Sequence, residues 1–543
     1  MINFSKLVIF PLTLVWACTA SAQTAPLPGK QLINIQLEPT ASATRGRLLV
    51  FAREAKAAEA EVLEKSKGKS SQVTEVDANP FEATATTVTA RELSLLNPGQ
   101  SVAINGDEIV FPKPYSQLPP GDYYVQAVLD VNHNYGYLGR SAGDWVSEVV
   151  KLRLPATEAP SIQLTRILPD EDPWTRASAS AAARKALDAA RPHAQAIDYT
   201  SAALSAFWGR PVKMGGWVLT PPGYDAKARA TYPTVYFTHG FSDNAAGMVR
   251  SMASIYSFMA DGKMPPMIWV LLDQSSASGT HEFADSVNNG PWGKALTSEL
   301  IPYLESRYRM DAKSSGRFLN GHSSGGWASL WLQTRYPKLF GGSWATSPDS
   351  SDFSDFNGVN LYGAHANVFR KVDGSDYPLV RDQGKVLGTF EQFAKLERVL
   401  GSYGGQLSSL EWVFSPRGQD GAAQPMFDRD TGNIDPAVVA YWRENFDIAH
   451  HMQRDWPKLK ADLDGKIHLI VGTADTFYLD GAARKLQTVM DGLRAKSDFR
   501  FLSDKTHFDL HRQGDDRFAL WKQISWEMYA VARPKSALHS ARK

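Results

Sequence analysis

From about Ser201 to Pro534, runs of β-branched and apolar residues alternate with helix-patterned stretches, and this alternation restricts the fold more than any other feature. PTVYFTHG, PPMIWVLLD, RFLNG and KIHLIVGTAD read as buried strands, whereas KALTSELIPYLESRY, WASLWLQTRY and GAARKLQTVMDGLRA carry helical periodicity between them. Apolar strands covered by intervening helices build a mostly parallel sheet with helices on both faces. In such sheets the reacting groups collect at the carboxyl ends of the strands.

The chain has 543 residues, too many for one ordinary domain, and its 43% hydrophobic and 21% charged content is that of a soluble globular protein. Residues 23–168 show short β-type runs (LINIQLEP, GRLLVFARE, ATATTVTA, DEIVFP, GDYYVQAVLD, EVVKLRLP, SIQLTRIL) separated by Pro, Gly and Asn, which predicts an N-terminal β-sandwich. An alanine-rich stretch, ASASAAARKALDAARP, makes residues 169–200 a helical linker to a catalytic domain at 201–534, followed by a polar tail at 535–543. Residues 352–456 are rich in aromatic and polar residues with little strand character, and read as a cap or insertion in that domain.

Residues 1–22 have the layout of an export signal: Lys6, the apolar run Leu7 to Val15, and Ala20-Ser21-Ala22 as a cleavage site. The run falls short of the roughly 20 residues that span a bilayer. A periplasmic or secreted bacterial location follows. Cys18, the only cysteine, would leave with the signal, and the bulky Trp16 two positions upstream fits lipid attachment poorly. The mature chain then has neither a disulfide nor a cysteine metal site. The formal net charge is +1 and Lys and Arg do not cluster, which excludes nucleic acid as a partner.

A short apolar push, then Gly321-His-Ser323-Ser-Gly325, then a helix-forming run place Ser323 on a strand-to-helix turn, where its hydroxyl is thrust out toward a base and a substrate. The same Gly-x-Ser-x-Gly pattern recurs at Gly139, Ser141 and Gly143, but there no strand feeds a helix. An attacking serine needs a base. Of twelve histidines, chain order nucleophile–acid–histidine leaves His507, His511 and His539. His507, in SDKTHFDL after the strand-like FRFLS, is favoured; His539 lies in the tail. Asp475 follows the strand KIHLIVG and is placed to orient the imidazole, with Asp480 and Asp504 as alternatives. Oxyanion donors are expected from the amides of Ser324 and Phe241, with Gly240 as the alternative to Phe241.

With those residues assembled, the region from about Gly215 to Ala532 resembles the putative esterase, or esterase D-like, family of α/β-hydrolases, which includes feruloyl esterases, enterochelin esterases and S-formylglutathione hydrolases. The resemblance rests on LTPPGYD, YPTVYFTHGFSDN, LNGHSSGGWASL, FGGSWATSPD, VGTAD and THFDL. It implies an α/β-hydrolase domain behind the β-sandwich, and ester hydrolysis through an acyl-enzyme with Ser323, Asp475 and His507 as the triad. No cofactor or metal is implied. The substrate would be a small-molecule or glycan-linked ester. Transfer of the acyl group to another acceptor, amide cleavage by the same triad, and a silent glycan- or peptide-binding protein are the competing readings. Trp292 and Asp349 are expected to contact substrate, and Trp327 and Trp344 are further candidates for an aryl or sugar pocket or for the core. Asp130-Val-Asn132-His-Asn134 resembles half a calcium loop, but Tyr135 replaces the turn glycine, so a loop stiffened by Asx turns is expected.

Overall fold

The structure is a computed structural model that describes residues 30–175, 180–401 and 403–536. The expected export signal, Cys18 and His539 fall outside them. The N-terminal region forms β1 (Leu32–Leu37), β2 (Thr44–Glu54), β3 (Thr87–Leu96), β4 (Ser101–Asn105), β5 (Val110–Phe111), β6 (Gly121–Asp130), β7 (Trp145–Ser147), β8 (Val150–Leu154) and β9 (Ser161–Ile167). Where a two-sheet sandwich is expected, hydrogen bonding joins these strands in one path, β4-β1-β9-β7-β6-β2-β3-β5, with β8 also on β6. The long β6 makes this possible: its first half pairs with β8 and its second half with β7. Alternation along β2 then serves two cores. Leu48, Val50 and Ala52 face the interior shared with β1 and β9, while Leu49 and Phe51 face outward under the helix Ala55–Lys65.

The second sheet contains β10 (Ala194–Ser201), β11 (Val212–Leu219), β12 (Thr234–Thr238), β13 (Ile268–Leu272), β14 (Arg317–His322), β15 (Gly342–Thr346), β16 (Ile467–Gly472) and β17 (Ser497–Leu502). Their order is β10-β11-β13-β12-β14-β15-β16-β17; the first two pairings are antiparallel and all later ones parallel. Both faces are covered. Val235, Trp269, Leu271, Phe318 and Trp344 pack on one side with the helices Val249–Ala260 and Ala519–Ala532, and Tyr236, Val270, Leu272 and Leu319 on the other.

Two boundaries differ from expectation. The stretch 169–200 is not a free linker: the helix Ala181–Ala190 packs in the second domain's core through Leu187 and Ala190, and β10 is that domain's edge strand. Only Ile197 and Ser201 of β10 are buried, so its sequence lacks the alternation that announces a strand. The insertion ends earlier than residue 456, because the helix Ile448–Leu463 belongs to the sheet's own covering layer, packing with Trp331 and Leu469. Before it lie a hairpin, Pro378–Asp382 with Lys385–Thr389, and the helices Phe390–Leu400, Gln406–Phe414 and Pro436–Phe446.

The two domains meet across the helix Phe390–Leu400. Leu396 and Val399 complete the outward core of the N-terminal sheet. The buried Arg47 of β2 reaches the helix's last carbonyls, with Nε 3.0 Å and Nη2 2.7 Å from Val399 O. A cation at a helix carboxyl end is favoured by the backbone dipoles there. This docking brings two N-terminal segments, residues 77–82 and the loop after β6, to the carboxyl end of the second sheet.

Candidate active site

Ser323 leaves β14 at φ 59° and ψ −128° and caps the helix Ser324–Arg335. A side chain held at positive φ is strained and needs surroundings that enforce it. Two glycines allow that enclosure: a Cβ on Gly321 would lie 2.1 Å from Gly325 O, and one on Gly325 would lie 2.1 Å from Thr238 O. The Ser323 amide donates to Thr346 O at 3.0 Å, tying the turn to β15. Its hydroxyl donates to Asp349 Oδ1 at 3.4 Å, at the long end for such a bond, and Ser324 Oγ donates to Asp349 Oδ2 at 2.8 Å. Burial pushes the Asp349 carboxyl up, against the pull of the Ser324 hydroxyl.

Asp475 follows β16 and is wholly buried; His507 follows β17 and is nearly so. Asp475 Oδ2 lies 3.0 Å from His507 Nδ1, and Asp475 Oδ1 accepts the Phe477 amide at 2.9 Å. Burial alone would raise the Asp475 carboxyl, but the His507 ring and this amide hold it below the usual carboxylate range. The alternatives serve elsewhere: Asp480 pairs with Arg381 at 3.0 Å, and Asp504 is exposed beside Ser503. His511 is half-buried and lowered to about 4, by desolvation and then by His507. His322, set aside on chain order, packs its ring 4.4 Å from that of His507, and burial followed by both neighbouring imidazoles keeps it neutral.

The Ser324 amide opens a helix and so has no intrahelical acceptor. Gly240 lies against the serine, since a Cβ there would be 3.2 Å from Ser323 Cβ, and Phe241 lines the same cavity as Ser323. The loop is locked from beneath. His239 Nδ1 is 2.7 Å from Gly240 O, and its Nε2 is 3.1 Å from Asp273 Oδ1. Burial would raise Asp273, yet His239 and the two Ser275 donors hold it at about 2. Sequence reasoning missed this lock. Both residues stand at strand ends, but nothing local in the sequence says that β12 and β13 are neighbours.

A cavity of about 430 Å³ is lined by Ser323 and His507 and by Gly240 and Phe241. Its aromatic wall is not the expected one. Trp292 stacks on His281 with centroids 3.6 Å apart and donates to Asn289 O, Trp327 stacks on Trp331, and Trp344 stacks on His468; all three are buried core residues. Tryptophan spacing signals burial as readily as binding. The wall consists instead of Phe81, Tyr135 and Tyr137 from the N-terminal domain with Phe477 and Phe508. Asp349, the other expected contact, does line a second, smaller cavity beside Ser323.

Other candidates fall away from this centre. Ser141 Oγ donates to Asn134 Oδ1 at 2.9 Å within its own loop. Asp130 spends its carboxylate on the amides of Asn132, Asn134 and Tyr135. Among the described residues no group of three His, Cys, Asp or Glu side chains is arranged to hold a metal, and no helix is long and apolar enough to cross a membrane.

A strained serine between strand and helix, a buried Asp–His pair past the ends of β16 and β17, and a largely parallel sheet beneath them define the α/β-hydrolase type of fold. The profile of the Putative esterase family matches residues 210–524, and the chain belongs to that family. It is similar to the endo-1,4-beta-xylanase/feruloyl esterase of Xylanibacter ruminicola, 27% identical over 130 residues, which are 23% of this chain and 18% of that one. An esterase of Mycobacterium tuberculosis is 30% identical over 148 residues, 26% of this chain and 31% of that one. The matches thus span under a third of these relatives' length. Among solved structures, a ferulic acid esterase aligns with TM-score 0.37 at 15% identity, covering 63% of this chain and 97% of its own. An S-formylglutathione hydrolase from Agrobacterium tumefaciens aligns with TM-score 0.35 at 14% identity, covering 62% and 95%.

Proposed function

We propose that the chain is a serine carboxylic ester hydrolase, exported by the signal read in residues 1–22, that works through an acyl-enzyme. Ser323 is the nucleophile, His507 the base and then the acid, and Asp475 the group that orients His507 and stabilises its imidazolium. One observation carries this: Ser323 and His507 open on the same cavity, while His507 is held from behind by a carboxylate buried away from solvent.

In the reaction the Ser323 hydroxyl turns from Asp349 to the His507 ring nitrogen not engaged by Asp475. His507 takes the proton as Oγ bonds to the ester carbonyl carbon. The amides of Phe241 and Ser324 receive the negative charge that develops on the carbonyl oxygen. The imidazolium then protonates the departing alkoxide, the acyl–oxygen bond breaks, and water attacks the acyl-serine by the same route to release the acid.

A fluorophosphonate probe applied to the wild type and to Ser323→Ala tests this. Stoichiometric labelling of the wild type alone is expected, together with hydrolysis of 4-nitrophenyl acetate that the substitution abolishes. An unlabelled wild type, or equal labelling of both, overturns the assignment.

A further inference from the structure

The site is asymmetric in a way that assigns the two halves of an ester. Ser323 lies between two cavities. The large one, about 430 Å³, is lined by His507 and by Gly240, Phe241, Ser242 and Asp243 of the oxyanion loop. The small one, about 30 Å³, lies on the Asp349 side and is closed by buried insertion residues, among them Phe353, Leu407, Leu410 and Phe414. His507 does not line it.

A tetrahedral intermediate on Ser323 has three other substituents on carbon: the oxyanion, the leaving oxygen and the acyl chain. The oxyanion points to the amides of Phe241 and Ser324. The leaving oxygen must face His507, because that imidazolium protonates it. Both directions lead into the large cavity, so the acyl chain takes the remaining one, into the small cavity. Since a cavity of roughly 10–15 Å³ holds one water, the small one has room for about two or three heavy atoms. The large cavity falls within the range of roughly 300–1,000 Å³ that takes a drug-sized molecule. Its rings are set for an apolar guest: Phe81 is 5.6 Å from Phe508 and 6.0 Å from Phe477, and Tyr137 is 4.9 Å edge-on to Phe241. The carboxylates on its wall are Asp77, Asp243 and Glu397, and neither Lys nor Arg lines it.

Resting on the serine-hydrolase reading above, we propose that the site cleaves short-chain esters, of up to three or four acyl carbons with the carbonyl carbon counted, of bulky uncharged aromatic alcohols. The acyl group enters the cavity closed by Leu410 and Phe414. The alcohol lies in the cleft that the N-terminal domain walls with Phe81 and Tyr137. The N-terminal domain is therefore a specificity element of the catalytic site.

Two isomeric esters of similar intrinsic reactivity test the assignment: 2-naphthylmethyl acetate, with a small acyl group and a large alcohol, and methyl 2-naphthylacetate, with the reverse. The acetate is expected to be preferred in kcat/KM by about ten-fold or more, the scale on which a pocket rejects extra methylenes. Phe81→Ala should lower kcat/KM for the naphthylmethyl ester several-fold more than for ethyl acetate. Leu410→Ala should extend the chain lengths accepted in 4-nitrophenyl esters from acetate toward hexanoate. Equal rates on the two isomers, or a preference for methyl 2-naphthylacetate, overturns the proposal whatever the variants do. Fluorophosphonate labelling separates the two levels: a labelled enzyme with the wrong isomer preference sinks this assignment alone, and an unlabelled one sinks the reading beneath it.

Discussion

Replacing Asp475 by asparagine keeps the side chain's shape and removes its charge, so it isolates what the carboxylate does for His507. At the 3.0 Å separation of Oδ2 and Nδ1, one unit of charge opposite another is worth about 5.5 kcal/mol at an effective dielectric constant near 20. That attraction is called on as His507 takes up the Ser323 proton in the course of the reaction. Nearly all of it therefore falls on the transition state. At about 1.4 kcal/mol per decade, kcat on 4-nitrophenyl acetate should fall about 10⁴-fold, with KM changed far less. Stability has to be tracked alongside. The folded Asp475 carboxyl lies below its ordinary value, so its contribution is present above that value and fades as pH drops through the folded one. Asp475→Asn should accordingly lower the urea midpoint at pH 7 and narrow the gap from wild type as pH falls below 4. A folded Asp475→Asn protein with kcat within ten-fold of wild type would refute the reasoning, because His507 would then not be the imidazole that carries the proton.

Gly325→Ala puts a methyl 2.1 Å from Thr238 O and 2.5 Å from His239 O, both backbone, so an overpacking loss of about 1–3 kcal/mol in urea unfolding is expected along with weaker fluorophosphonate labelling. Asp273, held at about 2, contributes stability that is present above its unfolded value of 3.8 and is lost between there and the folded value. Asp273→Asn should therefore cost about 2 kcal/mol at pH 7 and flatten the acid limb of the stability curve, and an unchanged limb would count against the His239–Asp273 lock. Arg47→Met removes two charged donors from Val399 O, each worth about 1.5–3 kcal/mol. A separate early unfolding transition or increased proteolysis near residues 390–400 should follow, and a single unshifted transition would show that the domain contact does not depend on Arg47.

What was legible in the sequence is what the chain encodes locally. Buried parallel strands must be continuous apolar runs, and PTVYFTHG, RFLNG and KIHLIVG could hardly be anything else. Ser323 was legible because an elbow so tight needs small residues at fixed offsets, and Gly321 and Gly325 supply them. Asp475 and His507 stand just past strands adjacent in the sheet, so chain order and strand ends sufficed to single them out. The helix Ala55–Lys65 was equally local, with AKAAEAEVLEK made almost wholly of helix formers, but it sits in a region whose surrounding strands suggested only β structure. Strands β4 and β7 escaped because five and three residues are too few to show a period.

The cleft wall was illegible for a different reason. Phe81, Tyr137 and Phe508 are each ordinary in their own segments, and no spacing connects them. They come together where the N-terminal domain docks on the helix Phe390–Leu400, through Leu396, Val399 and the Arg47 bond to Val399 O, and where Tyr137 Oη donates to Asp243 O. That dependence has a physical consequence. The proposed catalytic groups Ser323, Asp475 and His507 all follow strands of the second sheet, whereas the aromatic wall depends on a contact between domains. Changes at the Arg47 contact should thus alter which alcohols are accepted before they alter the chemistry at Ser323.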